Sequence, residues 1–295
     1  MKRKLYIALF LLPATLCCPL VSAQSFVGMS LGGNIVRTVD RLSATRARLS
    51  GGGEAGLAYG WQKEHFLFQT GVHYAFQSPA LSVNGQWLEQ EMLDTRGMPF
   101  TYRGFLDQRT DRLYMHQLTV PLLVGGTWSG FYVLAGVKIG VNLSTSALQK
   151  GALRTVGDYQ GRYYDLFENM PNHGYHDFED VQTRHSLTLN RFDLRLAAEI
   201  GYTFMLKSSP KRRTFPILRT GLFAEYGLLN MHTGKSNEPL VDADWSQYLH
   251  VQMTHIYASK ESAGTRANML LYGIRLTLLF PVSEAPSPRS SCHCR

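Results

Sequence analysis

The stretch Asn190–Leu206, NRFDLRLAAEIGYTFML, alternates residue by residue over its whole length. Phe192, Leu194, Leu196, Ala198, Ile200, Tyr202, Phe204 and Leu206 fall on one side, and Asp193, Arg195, Ala197, Glu199, Gly201 and Thr203 on the other. A period of two is that of a β-strand. The stretch is also long, since strands of soluble domains run about 5–6 residues. The content of its faces constrains the fold further. One face is continuously apolar and ends in aromatics; the other carries small residues and isolated charges. A soluble sandwich would hide the first face and dress the second in Thr, Lys and Glu. Glycine, alanine and single charges instead suit a crowded polar interior, which leaves the apolar face to meet lipid.

Seven further stretches read the same way: Phe26–Val36, Gly51–Gln62, His65–Gln77, Leu113–Trp128, Phe131–Ser144, Phe215–Met231 and Arg266–Phe280. The connections between the eight also alternate. Those after the first, third, fifth and seventh are long; those after the second, fourth and sixth are short. In an up-and-down barrel this collects every long loop on one rim, as in outer-membrane barrels. Trp61, Phe66, Trp128, Phe131, Tyr202 and Phe204 gather at the short-turn rim, where an aromatic girdle marks a lipid–water boundary. The expected fold is therefore all-β: an eight-stranded antiparallel up-and-down transmembrane β-barrel with long external loops. Gln247–Ala258 alternates too and leaves a ten-stranded version open. Within the connection Ser78–Arg112, Asn84-Gly85 between two short apolar runs predicts a small hairpin. Pro121 is out of place in a paired strand, which needs that N–H.

Residues 1–23 read as a secretory signal peptide. Lys2, Arg3 and Lys4 precede the apolar run Leu5–Leu12, and Val21-Ser22-Ala23 forms a small-residue cleavage site. Removing those three cations from the net charge of +8 leaves +5, too dispersed to point to nucleic acid. Elsewhere no run reaches the roughly 20 apolar residues of a spanning helix, so membrane residence after export requires a closed barrel. The barrel domain is expected over residues 24–281, followed by a disordered tail over 282–295 holding Cys292 and Cys294. Two cysteines make no disulfide framework, and Cys-His-Cys on a terminus is a poor metal site.

An eight-stranded barrel is narrow enough for side chains to fill it. The inward set contains Glu54, Lys138, Asp193, Arg195, Glu199, Arg219, Glu225 and Arg275, four acidic and four basic. Such a balance predicts a network of interior ion pairs that plugs the bore, because an unpaired buried charge is costly.

The glycine-and-aromatic alternation of the second to sixth strands, the tyrosine-rich loops, the leader and the closing LTLLF strand resemble the PorT-like outer-membrane β-barrel proteins of Bacteroidota. The resemblance runs from Gln24 to Phe280. It implies an eight-stranded barrel in the outer membrane; the namesake of the family belongs to a protein-secretion apparatus. The family supplies no catalytic motif, and the tail beyond Phe280 departs from a pattern in which the chain ends on the last strand's aromatic.

No cofactor, catalytic or metal site is expected. His173, His176 and His185 stand near Asp177, Glu179 and Asp180 without a fixed zinc spacing. His185-Ser186 and His116 lie near the long-loop rim, where a barrel enzyme would act, but form no triad-like signature. The loop aromatics Tyr159, Tyr163, Tyr164, Phe167, Tyr175, Trp245, Tyr248 and Tyr257 suit either partner contact or folding over the barrel mouth. The expected partners are outer-membrane lipid and other envelope or secretion proteins, and the expected role is non-enzymatic. A soluble lipocalin-like carrier, with its apolar face inward, is the competing fold-level reading.

Overall fold

A computed structural model of the chain describes residues 24–40, 45–83, 86–94, 97–159, 164–166, 178–206, 216–233, 241–244, 250–259 and 265–282. Eight strands close a ring: β1 (Gln24–Asp40), β2 (Ser50–Lys63), β3 (Phe66–Gln77), β4 (Pro99–Trp128), β5 (Phe131–Asp158), β6 (Phe192–Met205), β7 (Ile217–Gly227) and β8 (Ala267–Pro281). Each pairs antiparallel with the next in sequence, and β8 returns to β1 from Phe26↔Pro281 to Asp40↔Ala267. Closure satisfies the backbone of both edges, which is what lets a sheet sit in lipid.

The inside and outside follow the alternation. Leu196 is 51% exposed, Ile139 45% and Leu222 62%, whereas Arg195 and Lys138 are each 1% exposed. A soluble carrier would show the reverse. At the short-turn rim, Ser129 and Gly130 both have positive φ, 49° and 90°, the backbone of a type I′ hairpin turn. Phe131 packs on Tyr202 with centroids 5.0 Å apart, Tyr202 on Phe204 at 4.9 Å and Trp61 on Phe66 at 5.6 Å, forming the aromatic girdle. Pro121 sits where the β3–β4 ladder lapses: Thr70 pairs with Leu122 and His73 with Thr119, while Gly71 and Val72 have no ladder partner on β4. The β5 side stays paired, Pro121↔Lys138. The strand thus accommodates proline by giving up one ladder locally.

The other rim departs from expectation. Segments read as long connections are largely strand. β4 is 30 residues and β5 28, against about 9–11 for a single bilayer crossing. Ala80–Val83 and Gln86–Leu93 both run along β4, and Tyr164–Leu166 and Phe178–Ser186 along β5. Thr45–Arg48 extends the sheet beyond Ala80–Val83. The hairpin expected at Asn84-Gly85 is not made by its flanks. Those two residues lie outside the described ones, but the strands on either side pair with β4, Val83↔Arg109 and Gln86↔Leu106, and not with each other. The chain reverses instead at Asp94–Met98. There Asp94 N donates to Met98 O at 2.9 Å, Met98 N donates to Asp94 Oδ1 at 2.7 Å, and Gly97 takes φ +75°. A turn signal acts only if its flanks prefer each other, and here both preferred β4.

Two bulges re-aim this outer sheet. One leaves Leu143 as an extra residue in β5, opposite His116 and Gln117. Before it Lys138 and Gly140 face inward; after it Ala147 and Gln149 do. The second lies in β4 between Asp107 and Thr110. A single inserted residue switches the face of all that follow. The segment Gln247–Ala258 is no barrel strand: His250–Met253 pairs with Val241–Asp244 in a separate two-stranded sheet, and Ile256–Ala258 is a 3₁₀ turn. The ring has eight strands.

Candidate functional site

Charged side chains from β2, β5, β6, β7 and β8 meet in the middle of the bore. Lys138 Nζ donates to Glu225 Oε1 at 2.7 Å and to Glu54 Oε2 at 2.5 Å. Arg275 donates from Nε to Glu54 Oε1 at 2.7 Å and from Nη2 to Glu225 Oε1 at 3.1 Å, and its Nη1 reaches Glu199 Oε2. The Arg275 guanidinium also lies 4.3 Å from the Phe223 ring centroid. Arg195 donates to Asp193 Oδ2 at 2.6 Å and Glu225 Oε2 at 3.2 Å, and its Nη2 reaches Gln117 Oε1. All of these charged groups are at least nine-tenths buried. Buried carboxylates and cations hold one another only when each is hydrogen-bonded by the other, and seven of the eight residues marked in the sequence satisfy that condition.

Arg219 is the exception. Among the described residues it has no carboxylate within 4 Å. It lies toward the short-turn rim, where Nη1 donates to Gln69 Oε1 at 3.4 Å and its guanidinium sits 5.7 Å from the Tyr132 ring. Tyr132 in turn donates its hydroxyl to Glu199 at 2.7 Å, so the link to the cluster runs through a phenol. Alternation showed that Arg219 points inward but not how far along the bore it lies. His73 and Ser30 also belong here: Ser30 Oγ is 3.1 Å from His73 Nε2, and His73 Nδ1 is 3.9 Å from Glu54. Their inward parity was legible, but not their contact.

A second buried centre closes the long-loop mouth. Arg109 and Asp111 on β4, both 0% exposed, form a bidentate pair, Nε–Oδ1 2.6 Å and Nη2–Oδ2 2.8 Å. Asp111 Oδ2 also accepts from the backbone N–H of Ile256 at 2.8 Å, and Arg109 donates to the Thr254 carbonyl. The pair therefore pins the segment 253–259 across the mouth. Ile256 and Tyr257 are buried there with Val36, Leu113, Met115, Met269 and Leu271. The Tyr257 hydroxyl donates to Asp40 at 3.0 Å, and its ring stacks on His232 with centroids 5.7 Å apart. Arg109 and Asp111 belong to Ser78–Arg112, which the sequence reads as a connection. The usable signal was that Arg109, Asp111, Leu113, Met115 and Gln117 continue one alternation, so the strand began earlier.

His255 lies inside this cap at 0% exposure, and its Nδ1 accepts from Tyr257 N at 3.1 Å. Burial first, offset by Asp111 and reinforced by Arg109 and His185, lowers its pKa to about 4. Burial likewise lowers His232, against a hydrogen bond to Thr265 O, and raises Tyr257 well above its ordinary range, with Asp40 adding to the rise. For His255 the folded pKa lies below the unfolded value of about 6.5. The unfolded segment then binds the extra proton between those values, so stability is full above about pH 6.5 and falls as pH drops toward 4. The loss is on the order of 3 kcal/mol once the proton is bound. Protection factors of amides in residues 253–259, exchange corrected for its intrinsic slowing in acid, are expected to fall roughly thirtyfold between pH 7.5 and 5, and His255→Gln is expected to flatten that dependence. Equal protection factors at both pH values in the wild type overturn the assignment.

The remaining sequence candidates separate. His185 faces the cap and Ser186 is exposed on the opposite face, because they are neighbours on one strand. They cannot act as base and nucleophile on one substrate. His116 faces outward, its Nδ1 2.5 Å from the Tyr74 hydroxyl. Tyr159 and Tyr257 are not surface aromatics: both are 3% exposed, and Tyr159 stacks on Phe100 at 5.3 Å. Tyr164 lies in the short strand beside β5. Tyr163, Phe167, His173, Tyr175, His176, Asp177, Trp245, Tyr248, Cys292 and Cys294 lie outside the described residues. Among the described residues no three His, Cys, Asp or Glu side chains converge as a metal site would need.

No protein-family model matches the chain, and no curated protein matches it in sequence. Solved structures that match include Ail, the attachment invasion locus protein of Yersinia pestis, alone and in complex with the heparin analogue sucrose octasulfate. Identity is 8% in both cases, with 86% of this chain and 99% of that chain covered and TM-scores of 0.25 and 0.28. The fold assignment rests on the closed ring of strands itself.

Proposed function

We propose that the protein is an exported outer-membrane barrel that conducts nothing and works at its outer rim, as a non-enzymatic platform for binding or assembly with other envelope proteins. The observation that carries this reading is the length of β4 and β5. Their outer halves, flanked by strands on both sides, project a sheet past the membrane, while the bore below is filled by the charge cluster and the mouth is closed by the cap. A sheet that extends beyond its span without lining a channel is placed to meet partners. The resemblance to PorT-like barrels fits this role and points to a secretion or assembly context.

The reading is tested in planar bilayers and on whole cells. Reconstituted protein is expected to give no steady conductance, because an eight-stranded bore leaves no room beside its side chains. Protease added to intact cells is expected to cut within the projecting sheet and leave the barrel whole. Reproducible open-channel steps, or a sheet protected until the envelope is broken, would overturn the proposal.

A further inference from the structure

The outward face of the projecting sheet carries a feature that the bore does not explain. Two adjacent cross-strand rows run Arg48, Ala80, Arg112, Leu148, Arg184 and Arg46, Ser82, Thr110, Lys150, Gln182. Residues opposed on antiparallel strands share a face and stand about 5 Å apart. Arg46, Arg48, Arg112, Lys150 and Arg184 therefore form one basic strip. Among the described residues none of these five has a carboxylate within 4 Å. A cleft of about 460 Å³ opens over the strip, lined by Thr110, Arg112, Tyr114, Leu148, Lys150 and Asp180 among others. Asp180 is the one acid among its described lining residues.

The height of the cleft identifies what it meets. Tyr114, in its wall, stacks on Phe76 with centroids 6.3 Å apart, and the Arg184 guanidinium lies 5.5 Å from the Tyr114 ring. Phe76 contacts His116 at 5.2 Å, and His116 bonds Tyr74. These rings form an aromatic belt at the outer boundary, and just below them Leu118, Val120, Leu122 and Leu143 are exposed along the barrel wall. Aromatic belts sit at headgroup level, so the cations stand where the charged groups of membrane lipids lie. Arginine grips a phosphate through two parallel N–H bonds and lysine as a point charge.

We propose that this cleft binds the phosphate of an outer-leaflet glycolipid, whose acyl chains lie against Leu118 and Leu143. The proposal rests on the membrane placement argued above. Its test is the whole barrel in nanodiscs, with bisphosphorylated lipid A or its dephosphorylated form as probe and retained lipid counted by native mass spectrometry. Wild type is expected to keep the phosphorylated lipid and not the other. Arg112→Gln with Lys150→Gln is expected to weaken retention about thirtyfold, and Lys63→Gln at the opposite rim to change nothing. Equal retention of both lipids, an unaffected double variant, or displacement by millimolar inorganic phosphate overturns it, the last by making this a site for the free ion. If the double variant does not insert, the wild type's choice between the two lipids still decides. Failure of the membrane placement shows separately, as a barrel that never enters the nanodisc.

Discussion

Barrel carrying Arg275→Met is expected to unfold at markedly lower urea than wild type, with a loss of about 3–5 kcal/mol. The Arg275 guanidinium touches Glu54, Glu199 and Glu225. Removing it leaves Glu54 to Lys138, Glu225 to Lys138 and Arg195, and Glu199 to the Tyr132 hydroxyl, and the lost attraction is not replaced by water in a filled bore. Methionine supplies comparable bulk, so the effect measures charge more than volume. Two comparisons give the result its meaning. Arg219→Met is expected to cost about 1 kcal/mol or less, since Arg219 leaves no carboxylate stranded. Arg275→Met combined with Glu54→Gln is expected to recover part of the loss, because it removes one of the charges that the arginine compensated. The measurement is tryptophan fluorescence during unfolding from detergent or lipid. If Arg275→Met lies within 1 kcal/mol of wild type, the cluster is not what holds the bore.

Gly28→Ala is expected to prevent closure altogether. Gly28 lies on the β1–β8 seam opposite Leu279, and a methyl there would stand 1.8 Å from the Leu278 carbonyl oxygen. Contact this close to backbone cannot be relieved by turning a side chain, so the two strands must separate. An open seam then exposes two rows of unpaired N–H and C=O groups to hydrocarbon, each costing several kcal/mol. On a gel run without boiling, the variant should lose the folded band that wild type shows. Gly33→Ala is the matched comparison: it lies on the same strand with nothing within 4 Å of its Cβ, and should keep the band. A folded band from Gly28→Ala would mean that the seam is looser than it looks. These two variants fail differently, the first as a weakened barrel and the second as an unformed one.

Much of this molecule is written locally. Which side of Leu196, Ile139 or Leu222 meets lipid follows from neighbours two residues away, because a strand turns its side chains by half a circle each step. Strand number and the sidedness of the rims follow from counting such runs and the connections between them. Membership in the interior is local too, and all eight marked charges lie inside. Their partners are not: Lys138 meets Glu54 and Glu225 across 84 and 87 residues, and the register that joins them is set by the whole ring. The same holds at the mouth. Asp111 caps Ile256 across 145 residues, and nothing near either position announces it. The long-loop rim departs from the sequence reading for a related reason. Polar residues between Ser78 and Arg112 look like loop when each is judged alone, yet β4 and β5 offer them paired neighbours, and the bulge between Asp107 and Thr110 changes which of them face in. Periodicity reports the direction of each side chain because that depends on one strand's own geometry. Contact, strand length and the burial of Tyr257 depend on several strands meeting, and so they appear only once the barrel has closed.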